Sequence, residues 1–183
     1  LGDVYKRQGL VISIVTAVLG VIAFIAAANG TDVSENYHWI KAIGAWYALS
    51  SDGLGMTLVL MTVVLVPVVL LAEWNIGEKE PSDGTQTWGA NVFSGLALMT
   101  EGLAIYCFTA VDVLFFYLIF EASLVPMYFL ISGWGGARRR RAAIKFLIYS
   151  LAGGLVMLFG VIGVGVHGLS LIHISEPTRP RLI

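Results

Sequence analysis

Two carboxylates lie deep inside long apolar runs of this chain, Glu101 and Glu121. A charged side chain at the centre of a bilayer costs roughly 2.5 to 3.5 kcal/mol on insertion scales, so a carboxylate kept there needs a reason. Glu121 stands about nine residues into its run, roughly 13 Å of helical rise, which is the middle of a membrane. Tyr117 precedes it by four residues and Tyr128 follows by seven. All three therefore share one narrow helical sector. Pro126 interrupts the same helix, removes a backbone donor and frees a carbonyl near the carboxylate. This combination is expected of a group that takes up and releases a proton. The alternative is an acid held protonated by desolvation and used as a hydrogen-bond partner between helices.

The other candidates carry less. Glu101 shares its face with Ser94 two turns earlier, but no aromatic or basic residue completes a stripe, and function and packing read equally well. Lys145 opens the last apolar run with Tyr149 one turn further in. It is either a counter-charge to an intramembrane acid or a snorkelling side chain, and spacing alone favours snorkelling. Asp112 precedes a helix start, where a capping role accounts for it. Pro67 reads as a kink.

Several chemistries are excluded. A single cysteine, Cys107, allows no internal disulfide and no thiolate-rich metal or iron–sulfur site. No two histidines share a helical spacing, His38 falls in a connection and His167 is alone, so the paired ligands of a membrane haem are missing. Residues 163–168 spell G-x-G-x-x-G, but at the end of an apolar helix, without the strand that a dinucleotide site requires. No Ser/His/Asp set converges on one face. Lys and Arg number 11 against 12 Asp and Glu, so no overall basic field exists to hold nucleic acid.

The elements that must position these residues follow from composition. Of 183 residues 57% are hydrophobic and 13% charged, with a mean hydropathy of +0.83. Soluble domains carry roughly a quarter charged residues. Five runs, near 9–28, 54–72, 89–110, 113–131 and 146–166, are long enough to span a hydrocarbon core of about 30 Å. In lipid such runs must be helices, so the expected fold is an all-α, polytopic membrane protein. Residues 29–53 are expected to form a polar connection, 73–88 an acidic one, 111–112 a tight turn and 132–145 a basic loop. Lys79, Arg138, Arg139, Arg140, Arg141 and Lys145 then share one face and Lys41 stands on the other. The positive-inside rule makes the basic face cytoplasmic, or the matrix side in an organelle, with the arginine run a topology signal that also meets anionic headgroups.

The two ends carry a different signal. Residues 1–8 can be encoded by a string whose reverse complement encodes residues 169–176, Leu-Ser-Leu-Ile-His-Ile-Ser-Glu. Such a mirror image resembles a transposase sequencing adapter read at both ends of an insert. Residues 1–8 and 169–183 are therefore expected to be non-native, leaving 9–168 as a window without a natural start or end.

Residues 110–117 (Ala-Val-Asp-Val-Leu-Phe-Phe-Tyr) and 120–129 (Phe-Glu-Ala-Ser-Leu-Val-Pro-Met-Tyr-Phe) resemble the fourth-to-fifth helix region of the antiporter-like subunits of proton-pumping NADH:quinone oxidoreductase, respiratory complex I. Gly133-Trp134-Gly135-Gly136 and residues 142–151 continue the likeness, and residues 52–56 (Asp-Gly-Leu-Gly-Met) are similar to the start of that family's third helix. Pro126-Met127-Tyr128 after Glu121 favours the subunit M (chain 4) type over the L and N types and over multisubunit cation/proton antiporters. The resemblance implies about fourteen helices in two inverted repeats of five, each with a broken helix beside a buried charge. This chain would hold helices two to six, and Glu121 would face a lysine on the broken seventh. Also implied are proton translocation coupled to quinone reduction, no cofactor in this chain, and L- and N-type subunits as neighbours. NADH, flavin, iron–sulfur clusters and quinone would belong to the wider complex. The location would be the bacterial inner membrane, or the mitochondrial inner membrane if organellar. The rival readings are a subunit of a cation/proton antiporter, which would also use the glutamate, and a purely structural membrane protein.

Overall fold

Water is absent from the bilayer core, so each long apolar run satisfies its backbone internally. The computed structural model describes residues 2–31, 33–40, 45–74 and 88–174. Among them are helix α1 (Gly2–Ala28), strands β1 (Glu35–Ile40) and β2 (Ala45–Leu49), and helices α2 (Gly53–Ala72), α3 (Ala90–Thr109), α4 (Val113–Trp134) and α5 (Arg139–Ile174). All five helices contain stretches of 20 to 25 residues apolar enough to cross a membrane, as the sequence predicts. α1 and α5 run without a break through positions 8–9 and 168–169, the expected adapter boundaries.

The helices associate in chain order. α1 packs on α2 and α3, α2 on α3, α3 on α4, and α4 on α5. Small residues let the backbones approach, as lipid-embedded helices require. A Cβ on Gly20 would come within 2.8 Å of Val63, and one on Gly9 within 2.9 Å of Ser94. Val63 is fully buried, whereas Phe159 on α5 is 74% exposed. That outward apolar surface suits a hydrocarbon solvent.

Two expectations about the connections need correction. Residues 29–53 are not simply a polar linker: within them Glu35–Ile40 and Ala45–Leu49 pair as antiparallel strands, Tyr37 with Tyr47 and His38 with Trp46. Aromatic residues clustered in two short segments favour a pleated, half-buried surface, and that local preference prevails over the polar composition. α1 stops at a Schellman turn, with Gly30 at φ 79° and the Thr31 amide donating to the Ala26 carbonyl. The basic stretch is likewise not a loop over 132–145. α4 continues to Trp134, and Arg139–Lys145 form the first turns of α5. Arg, Lys and Ala are strong helix formers, and the long basic side chains can reach the interface from a helix.

Lys41 and Lys79, which entered the orientation reading, lie outside the described residues, as does the acidic connection over 75–87.

Candidate functional site

Asp112 fixes the start of α4. Its Oδ1 accepts from the Phe115 amide at 2.8 Å, the N-cap expected from sequence, and its Oδ2 accepts from the Trp46 amide of β2 at 3.3 Å. The strand pair is held to the same turn by Val111 donating to the Ala48 carbonyl at 2.9 Å and by Ser50 donating to Thr109 at 2.8 Å. One carboxylate thus ties the turn between α3 and α4 to the strand pair that covers it.

Glu101 and Glu121 stand ten residues either side of Val111. On antiparallel neighbours that places both about 15 Å from the turn and level with one another. They point to opposite sides of the α3–α4 pair. Ser94, which shares the face of Glu101, meets Gly9 of α1, while Glu121 meets Gly154 of α5.

Glu121 is half-buried, and a Cβ on Gly154 would overlap its Oε1. Tyr117 closes the same gap: its ring carbon Cε2 would lie 3.7 Å from that Cβ, and its side chain interacts with Glu121. Oε1 itself is buried without a hydrogen-bond partner. A desolvated acceptor left unpaired costs about 1 to 3 kcal/mol, so this oxygen is poised for a proton or an incoming donor. Pro126, fully buried in α4, leaves the Ala122 carbonyl without its helical donor one residue beyond the carboxylate. Gly154 is the residue of the candidate site that sequence reasoning missed. Its signal was the Gly153-Gly154 pair in an otherwise bulky apolar helix.

Glu101 is more deeply buried than its sequence context predicts. It is 2% exposed, and its Oε1 also lacks a partner. On the neighbouring α1, Ser13 is fully buried, with its hydroxyl turned back to the Leu10 carbonyl at 2.9 Å.

Lys145 is not brought to either acid. It is exposed on α5, nine residues before Gly154, which is two and a half turns and about 13 Å away on the opposite side of the helix. Tyr128 keeps to the Glu121 side of α4 and opens on a cavity beside Arg139 and Arg140.

This arrangement, a carboxylate midway along a proline-containing helix and facing a glycine, lies in the part of the chain that matches a known family. Residues 110–173 match the family described as NADH:quinone oxidoreductase/Mrp antiporter, transmembrane. The match covers α4 and nearly all of α5. Over most of its length the chain is similar to subunits of the M or chain 4 type. The chain is 40% identical to NADH-quinone oxidoreductase subunit M of Mycobacterium tuberculosis, over 88% of this chain and 34% of that protein. It is 33% identical to NAD(P)H-quinone oxidoreductase chain 4 1 of a Synechococcus species, over 88% of this chain and 31% of the relative. It is also 33% identical to F(420)H(2) dehydrogenase subunit M of Methanosarcina mazei, over 85% and 30%. The chain spans about a third of the length of these relatives. The matched family is described as transmembrane, in agreement with five helices long and apolar enough to span, and the chain is a multi-pass membrane protein.

Proposed function

We propose that this chain belongs to a proton-translocating membrane subunit of an NADH:quinone oxidoreductase, with Glu121 as the carboxylate that exchanges the proton. The observation that carries the reading is the unpaired Oε1 of Glu121 against Gly154, midway along α4, while Tyr117 interacts with the Glu121 side chain. An ammonium brought beside such a group favours the carboxylate, and its withdrawal lets desolvation favour the acid. Because Lys145 lies on the far side of α5, the counter-charge comes from another helix, in keeping with the lysine that the resemblance implies. Glu101, on the other side of α3, is a second and weaker exchange site.

The relatives support placing electron transfer elsewhere. Their names give two kinds of donor, a nicotinamide and F420H2, yet each relative matches most of this chain. A segment shared across donors is not the one that recognises the donor. NADH oxidation is therefore assigned to other subunits; quinone reduction in other subunits, L- and N-type chains as membrane neighbours and a bacterial inner membrane are what the resemblance implies. The second reading, a cation/proton antiporter subunit, has the family description in its favour.

The test is Glu121→Gln in the complete complex. The amide keeps the shape and hydrogen bonding of the acid but cannot exchange a proton. Normal assembly is expected, with NADH-driven proton uptake in vesicles falling by about tenfold or more per assembled complex. Wild-type uptake would reduce Glu121 to a packing element, and loss of sodium tolerance with intact uptake would select the antiporter.

A further inference from the structure

Between α1, α2 and α3, next to the strand pair, lies a cavity of about 360 Å³. We propose that it seats one acyl chain of a phospholipid from the leaflet on that side of the membrane.

The walls follow from how the three helices meet. α2 makes the back, where Met56, Val59 and Val63 are all buried. α1 and α3 make the sides, with Ala23 on one and Ile105 on the other. These two helices touch near their beginnings, where Gly9 meets Ser94, whereas Leu19 and Tyr106 further along are both exposed at the rim. The cavity therefore opens sideways between α1 and α3, on a surface that faces hydrocarbon. Its strand end is closed by the Val33 amide, which donates to Ser51 Oγ at 3.3 Å.

Depth and polarity select the occupant. Val63 stands ten residues after Gly53, the first residue of α2, which is about 15 Å of rise and half of a hydrocarbon core of about 30 Å. The cavity thus has the length of one leaflet. No charged residue lines it. Two of its hydroxyls are already bonded within their own helices, Thr16 to the Ile12 carbonyl at 3.0 Å and Thr109 to the Ile105 carbonyl at 2.9 Å. Buried water needs about two to four polar partners, so the deep part of the slot suits it poorly. Left empty, the same walls would forfeit their dispersion contacts. A chain of methylene groups restores those contacts and arrives from the side on which the slot opens. Ser50 and Ser51, at the strand end, then lie at the depth of the ester groups.

The test uses the complete complex in nanodiscs with a phosphatidylcholine that carries a photoreactive diazirine, either at the end of one acyl chain or beside its ester. After illumination, adducts are located by mass spectrometry of peptides. The chain-end probe is expected on the buried Val59 and Val63, and the ester-end probe on Ser50 and Ser51. Leu19→Trp at the exposed rim and Ala23→Phe in the side wall should each lower the Val63 adducts about fivefold by occupying the space of the chain, while Val18→Phe, on the exposed face of α1, should change them less than about twofold. Adducts on the exposed Val18 and Ile22 with none on Val59 or Val63 would mean ordinary surrounding lipid, or another helix in the slot, and would overturn the proposal. Equal losses from Leu19→Trp and Val18→Phe would overturn it as well. A severalfold preference for phosphatidylglycerol over phosphatidylcholine in the Val63 adducts would point to a charged headgroup site and sink the apolar slot.

Discussion

Oε1 of Glu121 lies against the bare Cα of Gly154, in a gap that one methyl group would fill. The neighbouring Gly153 has open space where its Cβ would be. Adjacent residues of identical type thus face opposite consequences from the same substitution.

Gly154→Ala is expected to overpack the α4–α5 contact, at a cost of about 1 to 3 kcal/mol, and to displace the carboxylate. Gly153→Ala should be tolerated. Proton uptake per assembled complex and thermal stability in detergent measure the two effects, and equal behaviour of the alanine variants would contradict the placement of Glu121.

For Glu101, shape and chemistry can be separated. Replacing a buried acceptor that lacks a partner by an apolar group of similar size is near neutral or stabilising, so Glu101→Leu should keep or raise thermal stability. Glu101→Gln should lower proton uptake by less than Glu121→Gln does. Unchanged uptake in both Glu101 variants would make that residue structural.

Asp112 joins two roles in one side chain. Asp112→Ala removes the α4 cap, worth about 1 kcal/mol, and also the bond to Trp46. Chemical unfolding in detergent should show that loss together with faster proteolysis in the strand pair, and Asp112→Asn should recover part of it. A stability loss without a change at the strand pair would argue against the Trp46 link.

Orientation is accessible to labelling. Cysteines placed at Arg140 and at Ser34, in a Cys107→Ser background, should react with an impermeant reagent from opposite sides, with position 140 on the cytoplasmic side. Reaction of both from the outside would reverse the topology.

Membership of the membrane class and the five spans were legible in the sequence, and Glu121 stood out there as a candidate. The reason is that lipid leaves the chain few options: a run of about 20 apolar residues must close its hydrogen bonds as a helix, and a carboxylate within it stands out at once. The Asp112 cap was readable for a similar reason, since its partners lie three residues away. What crosses from one element to another was not readable. Gly154 opposite Glu121, Lys145 turned to the far side of α5, the near-complete burial of Glu101 and the aromatic strand pair bound to the α3–α4 turn all depend on which helical faces meet and in what register. Between helices that are apolar all round, the hydrophobic pattern carries no such instruction. Close packing at small residues, which only the assembled helices define, decided it.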